Sequence, residues 1–391
     1  MDIRDFLKVM QERDASDIYL TVDSPPVYRI QGVPQPFGDE AFTGEQLETL
    51  AYSVLRERQR EEFEEAWEKN LALDYPDLGR FRINIFRQRG HVGLVIRQIK
   101  TEIQTIDELG LPQIFKEIVM TKWGLVLVVG ATGSGKSTTL AAIIDHRNSN
   151  LPGHIISVED PIEFVHNHKK SVVTQREIGF DTRSYQDALK NAMRQAPDVI
   201  LIGEIRDAET MEAAITFADT GHLCLGTLHS TNANQSFERI LNFFPVTRHP
   251  QILMQLSLNL RAIISQRLVP SLDEKRVAAT EILLDTAWVK DLIKKGEFDT
   301  LKEAMEQGVH EGCQTFDHAL FILFKEGKIS FDEALIYADG ANNLHLKIKQ
   351  EAFRGEGALG KLLEQHEKEM AEKPKGFQIK GQQAAGRFRK I

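Results

Sequence analysis

Apolar and polar residues alternate along three segments of the first hundred residues. The segments are "DIYLTV", "PVYRIQG" and "RFRINIFRQRGHVGLVIRQI", and alternation with a period of two predicts antiparallel strands. Between them, Thr43 and Gln46 form a capping-box pattern in front of a helical stripe, "LETLAYSVLRERQREEFEEAWEK". The apolar positions of this stripe are Leu47, Leu50, Val54 and Leu55. The pattern predicts an α+β unit over residues 1–100.

A different pattern begins near residue 122, where short apolar runs alternate with helical segments. The runs are "GLVLVVG", "HIISVED", "DVILIGEI" and "HLCLGTLHS". Such runs are typical of a largely parallel sheet that helices cover on both faces. We therefore predict an α/β core over residues 122–285, joined to the first unit by a linker and helix over 101–121, the helix itself at 112–120.

Helical periodicity replaces the strand pattern after about residue 285. It is carried by "AWVKDLIKKG", "FDTLKEAMEQG", "TFDHALFILFKEG" and "SFDEALIYADG", and predicts a helical C-terminal region over 286–360. Residues 361–391 are predicted to be a polar, mobile tail, because their last part, 373–391, contains six basic and no acidic residues and little apolar content.

The composition is that of an ordinary globular protein, and it disfavours nucleic acid as a binding partner. The 391 residues are 42% hydrophobic and 27% charged, which suffices for two or three domains. The net charge of −9 argues against nonspecific binding of nucleic acid through the whole surface. No basic stripe with interleaved aromatic residues appears in the core, so a nucleic-acid translocase is disfavoured.

Cysteine usage and the N-terminus indicate a cytoplasmic protein. The two cysteines, Cys224 and Cys313, cannot form a disulfide framework, and a reducing compartment is the simplest one. The N-terminus, "MDIRDFLKVMQERDASD", has no apolar core of a signal peptide. The strongly apolar stretch "GLVLVVGA" is far shorter than the roughly 20 residues that span a bilayer. We expect no direct membrane insertion, so that any membrane contact goes through partners.

A phosphate-binding loop follows the first apolar run of the core. "GATGSGKS" matches G-x-x-x-x-G-K-[ST] between a predicted strand and a predicted helix. Glycines let backbone N–H groups surround phosphates, the lysine reaches the β- and γ-phosphates, and the final hydroxyl ligates Mg²⁺. The residues assigned to nucleotide binding are Gly130, Ala131, Thr132, Gly133, Ser134, Gly135, Lys136, Ser137 and Thr138. We expect ATP and Mg²⁺ here, with Ser137 on the metal.

Hydrolysis requires carboxylates in addition to this loop, and two later strands end in them. "DVILIGEIRD" is a Walker-B-like strand in which Gly203 stands where an aspartate commonly precedes the terminal Glu204. Glu204 is therefore assigned to the Mg²⁺ side, through water. "VEDPIEFVH" supplies Glu159, Asp160 and Glu163 directly after another core strand.

Three possible metal ligands lie together in "TGHLCLGTLHSTNA": His222, Cys224 and His229. On an ideal strand His222 and Cys224 share one face, whereas His229 points to the other. A closed zinc site is therefore disfavoured, because its ligands must converge. No fixed cation lies near Cys224 in sequence, so its predicted role is core packing.

Four motifs together resemble one family. "GATGSGKSTT", "VEDPIEFVH", "APDVILIGEIRDAET" and "TGHLCLGTLHSTNA" occur in this order, as they do in secretion-superfamily ATPases. The chain resembles the PilT/PilU-type retraction ATPases of bacterial type IV pili over roughly residues 1–350. The resemblance also includes "FRINIFRQRGHVGLVIRQI", "QTFDHALFILFKEGKIS" and "EALIYADGANNLHLKIK".

The resemblance implies an architecture and partners. Each subunit would combine an N-terminal PAS-like domain with a RecA-like P-loop ATPase core in a homo-hexamer, which hydrolyses ATP to drive pilus retraction and twitching motility. The implied partners are a PilT-type retraction ATPase and the inner-membrane pilus platform protein. The ring would accordingly be cytoplasmic and peripheral at the inner membrane.

The resemblance also implies roles for individual residues. Glu163 would polarise the attacking water, and Glu204 would belong to the Mg²⁺ shell. Arg82 and Arg97 match arginines that reach phosphates across or between domains. His222 and His229, the two ends of a histidine box, would sense the γ-phosphate. The alternative for each histidine is a structural role.

One segment separates the branches of this family. "WVKDLIKKGEFDTLKEAMEQG" departs from the "AIRNLIRE"-like segment of the PilT branch, which favours the PilU branch of accessory retraction ATPases. The main hypothesis is an ATP-hydrolysing motor that powers or assists retraction. The alternative is an ATP-gated structural accessory ring that supports a PilT-type motor without producing force. An extension motor is disfavoured, because two cysteines cannot make its four-cysteine zinc element.

Overall fold

The computed structural model describes residues 2–30, 32–99, 102–273 and 275–354. Its helices are α1 Ile3–Glu12, α2 Gly44–Val54, α3 Glu57–Ala66, α4 Ile114–Met120, α5 Lys136–Asn150, α6 Tyr185–Ala192, α7 Ala208–Asp219, α8 Ala233–Asn242, α9 His249–Asn259, α10 Ala287–Lys295, α11 Leu301–Gln307, α12 Phe316–Lys325, α13 Phe331–Ile336 and α14 Ala341–Arg354. Its strands are β1 Ala15–Leu20, β2 Val27–Ile30, β3 Val33–Pro36, β4 Glu68–Tyr75, β5 Gly79–Gln88, β6 His91–Ile99, β7 Gly124–Val129, β8 Gly153–Glu159, β9 Ser171–Glu177, β10 Val199–Ile202, β11 Leu223–Leu228, β12 Leu260–Pro270 and β13 Arg276–Leu284. Short 3-10 helices cover Met193–Gln195, Val246–Arg248, Phe298–Thr300 and Gly308–Glu311.

The N-terminal strands form one antiparallel sheet in the order β3-β2-β1-β6-β5-β4. Alternate residues of β5, namely Phe81, Ile83 and Ile85, are buried, as the period of two requires when one face packs on a core. Helices α1 and α2 cover that face with Leu7, Leu47 and other apolar side chains. The sequence pattern of the first hundred residues therefore corresponds to a one-sided sheet with helices.

The long helix expected after Thr43 is two helices followed by a strand. Its capping box is confirmed, because Thr43 and Gln46 bond each other's backbone N–H groups. Leu55, however, is extended, with φ −95° and ψ 132°, and separates α2 from α3. Trp67 then ends α3 with a left-handed φ of 61°, after which β4 begins. The extended backbone at Leu55 interrupts the helical stripe although the side chains on both sides keep its period.

The second sheet contains seven strands in the order β13-β12-β7-β11-β10-β8-β9. Pairing is parallel from β12 through β7, β11, β10 and β8 to β9, and within the described part of this second sheet only the β12–β13 pair is antiparallel. Helices α4 and α5 pack on one face, and α6 to α11 pack on the other. Parallel strands covered on both faces explain why β7, β10 and β11 are buried along their whole length and consist mostly of apolar residues.

The parallel arrangement determines where function can lie. The carboxyl ends of β7, β8, β10 and β11 meet at the same edge of the sheet, and each runs directly into one of the predicted motifs. Loops at this edge are the usual ligand site of open α/β sheets. Strands β9, β12 and β13 were not predicted, since β9 is largely polar and the last two continue the core beyond the motifs.

The last C-terminal helices, α12 to α14, pack together beside the β12–β13 pair. Phe316, Leu320 and Phe324 of α12 form a separate apolar cluster with Val269 and Ala279 of the β12–β13 pair. The predicted mobile tail, 361–391, lies outside the described residues. Among the residues that the structure describes, no helix is both long and apolar enough to span a membrane.

Candidate functional site

The glycine-rich loop lies between β7 and α5, at the carboxyl edge of the second sheet. Gly135 caps α5 with a φ of +87°, a conformation that favours glycine. A Cβ at this position would also lie 2.8 Å from Gln266 Nε2. The close approach of Gln266, whose side chain donates to Ser134 O at 2.8 Å, fixes the loop from the neighbouring strand β12.

Lys136 is the cation of this loop. Its Nζ donates to Gly130 O at 2.8 Å and to Ala131 O at 3.0 Å. Burial lowers the pKa of Lys136, whereas the charges of Glu204 and Glu163 act in the opposite direction. A phosphate in the loop would give this ammonium a charged partner in place of neutral carbonyls, and charge-assisted bonds are the stronger ones.

The loop, the two acidic motifs and one histidine surround a single cavity of about 550 Å³. The predicted residues that line it are Thr132, Gly133, Gly135, Lys136, Ser137, Thr138, Glu163, Glu204 and His229. Gly130, Ala131 and Ser134 lie in the same loop without lining the cavity. The structure thus brings together side chains from four separate segments of the sequence, because their strands end at one edge.

This cavity suits a nucleoside phosphate. The Ser134 hydroxyl is buried and has no hydrogen-bond partner among the described residues, so a polar donor is left over inside the loop. The N-terminus of the 15-residue helix α5 adds a partial positive charge at the same place. Ser137 and Glu204 both face the cavity, and oxygen ligands of this kind suit Mg²⁺.

Glu204 lies two residues after the end of β10, next to His229. The distance from His229 Nε2 to Glu204 Oε1 is 3.4 Å. Thr227, on β11, donates a hydrogen bond to Gly203 O, which ties the two strand ends together. An added Cβ at Gly203 would lie 3.0 Å from Glu159 Cα, so the close approach of β8 and β10 leaves little room for the aspartate common at this position.

Glu159, at the end of β8, is a further carboxyl group in the cavity wall. It accepts hydrogen bonds from Ser157 Oγ at 2.7 Å and from Gln175 Nε2 at 3.2 Å. Burial raises the pKa of Glu159 to about 7, against these two hydrogen bonds, and the nearby charges of Glu163 and Glu177 raise it further. Near neutral pH, protonated and ionised Glu159 are therefore both populated, whereas an ordinary surface glutamate is ionised.

We expect the raised pKa of Glu159 to make stability depend on pH. Between its ordinary value of 4.5 and about 7, the folded state retains a proton that the unfolded state releases, so the free energy of unfolding falls as pH rises through this window. Glu159→Gln should lack this decline, which is about 3 kcal/mol at most. Urea unfolding of both proteins at about pH 5 and about pH 8 measures the difference. Identical pH dependence in the two proteins would contradict the assignment. Glu326→Gln, an exposed glutamate 2.8 Å from Lys328, serves as the control.

Arg82 and Arg97 do not line the cavity in the part of the chain that is described. They are direct cross-strand partners on β5 and β6. Arg97 Nε donates to Asp17 Oδ1 at 2.8 Å while 69% of its side chain is exposed. Arg82 interacts electrostatically with Glu177 of the second sheet: burial raises the pKa of Glu177, and the positive charge of Arg82 acts in the opposite direction. Both therefore belong to one basic patch of the first sheet, and contact with the cavity's contents would need this sheet to move or another subunit to supply it.

His222 is not brought to this cavity, contrary to the expectation that both ends of the histidine box meet one phosphate. Its Nδ1 lies 3.1 Å from Thr220 Oγ1 and 3.3 Å from Phe217 O. The reason is geometric: β11 runs between the two histidines, and its six residues at about 3.3 Å each separate them by roughly 20 Å. Within this chain His222 caps the opposite end of the strand.

The same geometry keeps His222 and His229 at opposite ends of β11, so the three possible ligands of this segment do not converge. Cys224 is completely buried in the core, and burial raises the pKa of its thiol far above the usual value. Among the described residues no group of three or more histidine, cysteine, aspartate or glutamate side chains could hold a metal ion.

Among the lining residues to which the sequence assigns no role are His166, Leu268 and Arg276. His166 is 8% exposed, and burial lowers its pKa to about 4, so it is neutral at pH 7. Leu268 and Arg276, on the β12–β13 pair, close the cavity from the far side of the loop. His166 ends the acidic motif and could have been noticed there, whereas Leu268 and Arg276 carry no local signal because only the sheet order places them.

Fold and site together define a mixed α/β protein whose glycine-rich loop, carboxylates and histidine converge on one cavity. A family model described as "Type II/IV secretion system protein" matches residues 72–353. The chain belongs to this family of secretion-system proteins.

Relatives and solved structures narrow the family to its type IV pilus members. The chain is 51% identical over 350 residues to the type IV pilus ATPase PilU of Pseudomonas aeruginosa, covering 89% of this chain and 92% of that protein. It is 40% identical over 334 residues to the type IV pilus retraction ATPase PilT of the same organism, covering 85% and 97%. A crystal structure of the pilus retraction motor PilT with bound ADP matches with a TM-score of 0.81 and 41% identity, covering 87% of this chain and 97% of that one. The resemblance to PilT/PilU-type ATPases is confirmed.

Proposed function

We propose that this protein is an ATPase that hydrolyses ATP to power or assist type IV pilus retraction, as a PilU-type member of its family. The observation that carries the proposal is the convergence of Lys136, Glu163 and Glu204 on one cavity next to a phosphate-binding loop. A purely structural ring would need neither glutamate. The higher identity to PilU than to PilT supports the branch.

Binding is assigned to the loop and to Lys136. Backbone N–H groups from Gly130 to Thr138 surround the phosphates, and the Lys136 ammonium exchanges its two carbonyl partners for phosphate oxygens. Ser137 and Glu204 would hold Mg²⁺, the latter through water, and the bound ion would supply positive charge to the transferred phosphoryl group.

Hydrolysis is assigned to Glu163. This carboxylate is exposed to the cavity and can orient the attacking water and accept its proton. His229, 3.4 Å from Glu204, can hydrogen-bond either that carboxylate or the terminal phosphate and so respond to its loss. Arg82 and Arg97 stabilise charge on the transferred phosphoryl group after the first sheet has moved toward a cavity, in the same or in a neighbouring subunit.

Assembly and location follow the family. The first sheet, as a PAS-like domain, and the second, as a RecA-like core, form one subunit of a homo-hexamer, and the rotation of one against the other converts hydrolysis into movement. The partners are a PilT-type retraction ATPase and the inner-membrane pilus platform protein. The ring works in the cytoplasm, peripheral to the inner membrane.

A retraction assay distinguishes the motor from an ATP-gated structural ring. In cells that produce a PilT-type partner, we expect Lys136→Ala to lose the contribution of this protein to retraction, because the variant cannot use ATP. Optical-trap measurement of retraction force against bacteria lacking the protein tests this. Full retraction force with Lys136→Ala, equal to the wild type, would contradict the motor and establish the structural ring.

A further inference from the structure

Glu177 lies where the first sheet, the second sheet and the turn that carries Glu163 meet. It ends β9, the edge strand of the second sheet, and is 1% exposed. Its Oε2 accepts a hydrogen bond from the backbone N–H of Ile162 at 3.3 Å. Ile162 is the residue before Glu163, so this carboxylate holds the backbone next to the proposed catalytic group.

The other side of the Glu177 carboxylate faces the first sheet. Arg80 Nη2, on β5, lies 3.9 Å from the same Oε2 atom. Arg80 Nε is buried and has no hydrogen-bond partner among the described residues, although a guanidinium normally uses its donors when it is buried. Arg82, two residues along the same face, adds its positive charge at Glu177. The arginines thus face the carboxylate without a close, fully bonded pairing.

We propose that Glu177 is a positioning residue that couples the first sheet to catalysis. Glu177 holds the turn that carries Glu163, and the position of this turn depends on whether Arg80 and Arg82 lie next to the Glu177 carboxylate. The proposal rests on the proposed ATPase function and deepens it.

The coupling has a physical basis in the burial of the carboxylate. A buried ionised group depends on its counterions and donors, since little water replaces them. When Arg80 and Arg82 approach, the carboxylate is shared between guanidinium and the Ile162 N–H. When the first sheet moves away, the Ile162 N–H is among the few donors left to the Glu177 carboxylate. The turn that carries Glu163 then moves with this carboxylate. A displacement of about 1 Å at a reacting group can change turnover by about 100-fold, so a small shift of this turn is sufficient.

Matched substitutions on the two sides test this. Glu177→Gln retains an oxygen for the Ile162 N–H and removes the charge that faces the arginines. Arg80→Gln removes the facing charge from the first sheet, where its side chain is 23% exposed. We expect each to lower kcat for ATP hydrolysis about tenfold with KM within about twofold of the wild type, and the double variant to be no slower than either single one. Arg87→Gln is the control, since Arg87 pairs with Glu64 inside the first unit at 2.8 Å.

Each possible result either supports or overturns the proposed coupling through Glu177. Reduced kcat at constant KM, with non-additive losses, supports the coupling. Wild-type kcat in either single variant, multiplying losses in the double variant, or a loss confined to KM would overturn it. If Glu177→Gln unfolds, which a thermal melt reveals, Arg80→Gln alone decides by the same kcat criterion. Absence of hydrolysis in the wild type would instead mean that the proposed function is wrong.

Discussion

Glu163→Gln should abolish ATP turnover while leaving nucleotide binding almost intact. Glutamine has the size of glutamate but cannot take a proton from the attacking water, and removal of a positioned base costs about 100- to 10,000-fold in rate. The loop and Lys136 remain in place, since Glu163 makes no hydrogen bond that holds them among the described contacts. We therefore expect binding of a fluorescent ATP analogue within a few-fold of wild type.

Phosphate release at saturating ATP, together with the binding titration, measures both parts of this expectation. Glu326→Gln, which changes an exposed glutamate near Lys328, should turn over at the wild-type rate. Turnover by Glu163→Gln at the wild-type rate would refute the role assigned to the acidic turn, and a parallel loss of binding would assign Glu163 to affinity instead.

Lys136→Ala should lose nucleotide binding itself. The substitution removes the one ammonium in the described wall of the loop, so phosphate oxygens lose a charge-assisted partner, and we expect the affinity for ATP to fall by at least about tenfold. Lys136→Met, which retains an unbranched stem of similar length, should behave in the same way, because the charge and not the packing is responsible.

Ligand-dependent thermal stability reports this directly, since a ligand that binds the native state raises the melting temperature by an amount that grows with the ratio of its concentration to its Kd. Wild type should melt at a higher temperature with ATP than without it, and Lys136→Ala should show a much smaller rise at the same concentration. The control is Lys116→Ala, whose ammonium pairs with Asp107 at 2.7 Å outside the cavity. A full rise in Lys136→Ala would show that ATP binds elsewhere.

The features best predicted from the sequence are those that depend on consecutive residues. The strand before the loop, the glycines, Lys136 and the two acidic strand ends are local patterns, and the parallel order of β7, β8, β10 and β11 then brings Glu163, Glu204 and His229 together without further information. The capping box at Thr43 was equally local and is confirmed.

Features that depend on distant packing were not predictable from the pattern. The periodicity of the helical stripe does not predict that Leu55 is extended or that β4 follows. His222 belongs to the same motif as His229, but the strand between them separates their side chains to opposite edges of the sheet. The contacts of Glu177 join three segments far apart in sequence, Arg80, Ile162 and β9, which only the folded chain places side by side.

A single-turnover experiment tests directly whether the cavity behind the glycine-rich loop is a hydrolytic site. ATP is bound to the full chain in EDTA, Mg²⁺ is added in excess, and inorganic phosphate is followed over time. We expect wild type to convert its bound ATP to ADP and phosphate only after Mg²⁺ is added, whereas Glu163→Gln should retain the ATP. Recovery of intact ATP from wild type after Mg²⁺ addition, or equal conversion by Glu163→Gln, would contradict it.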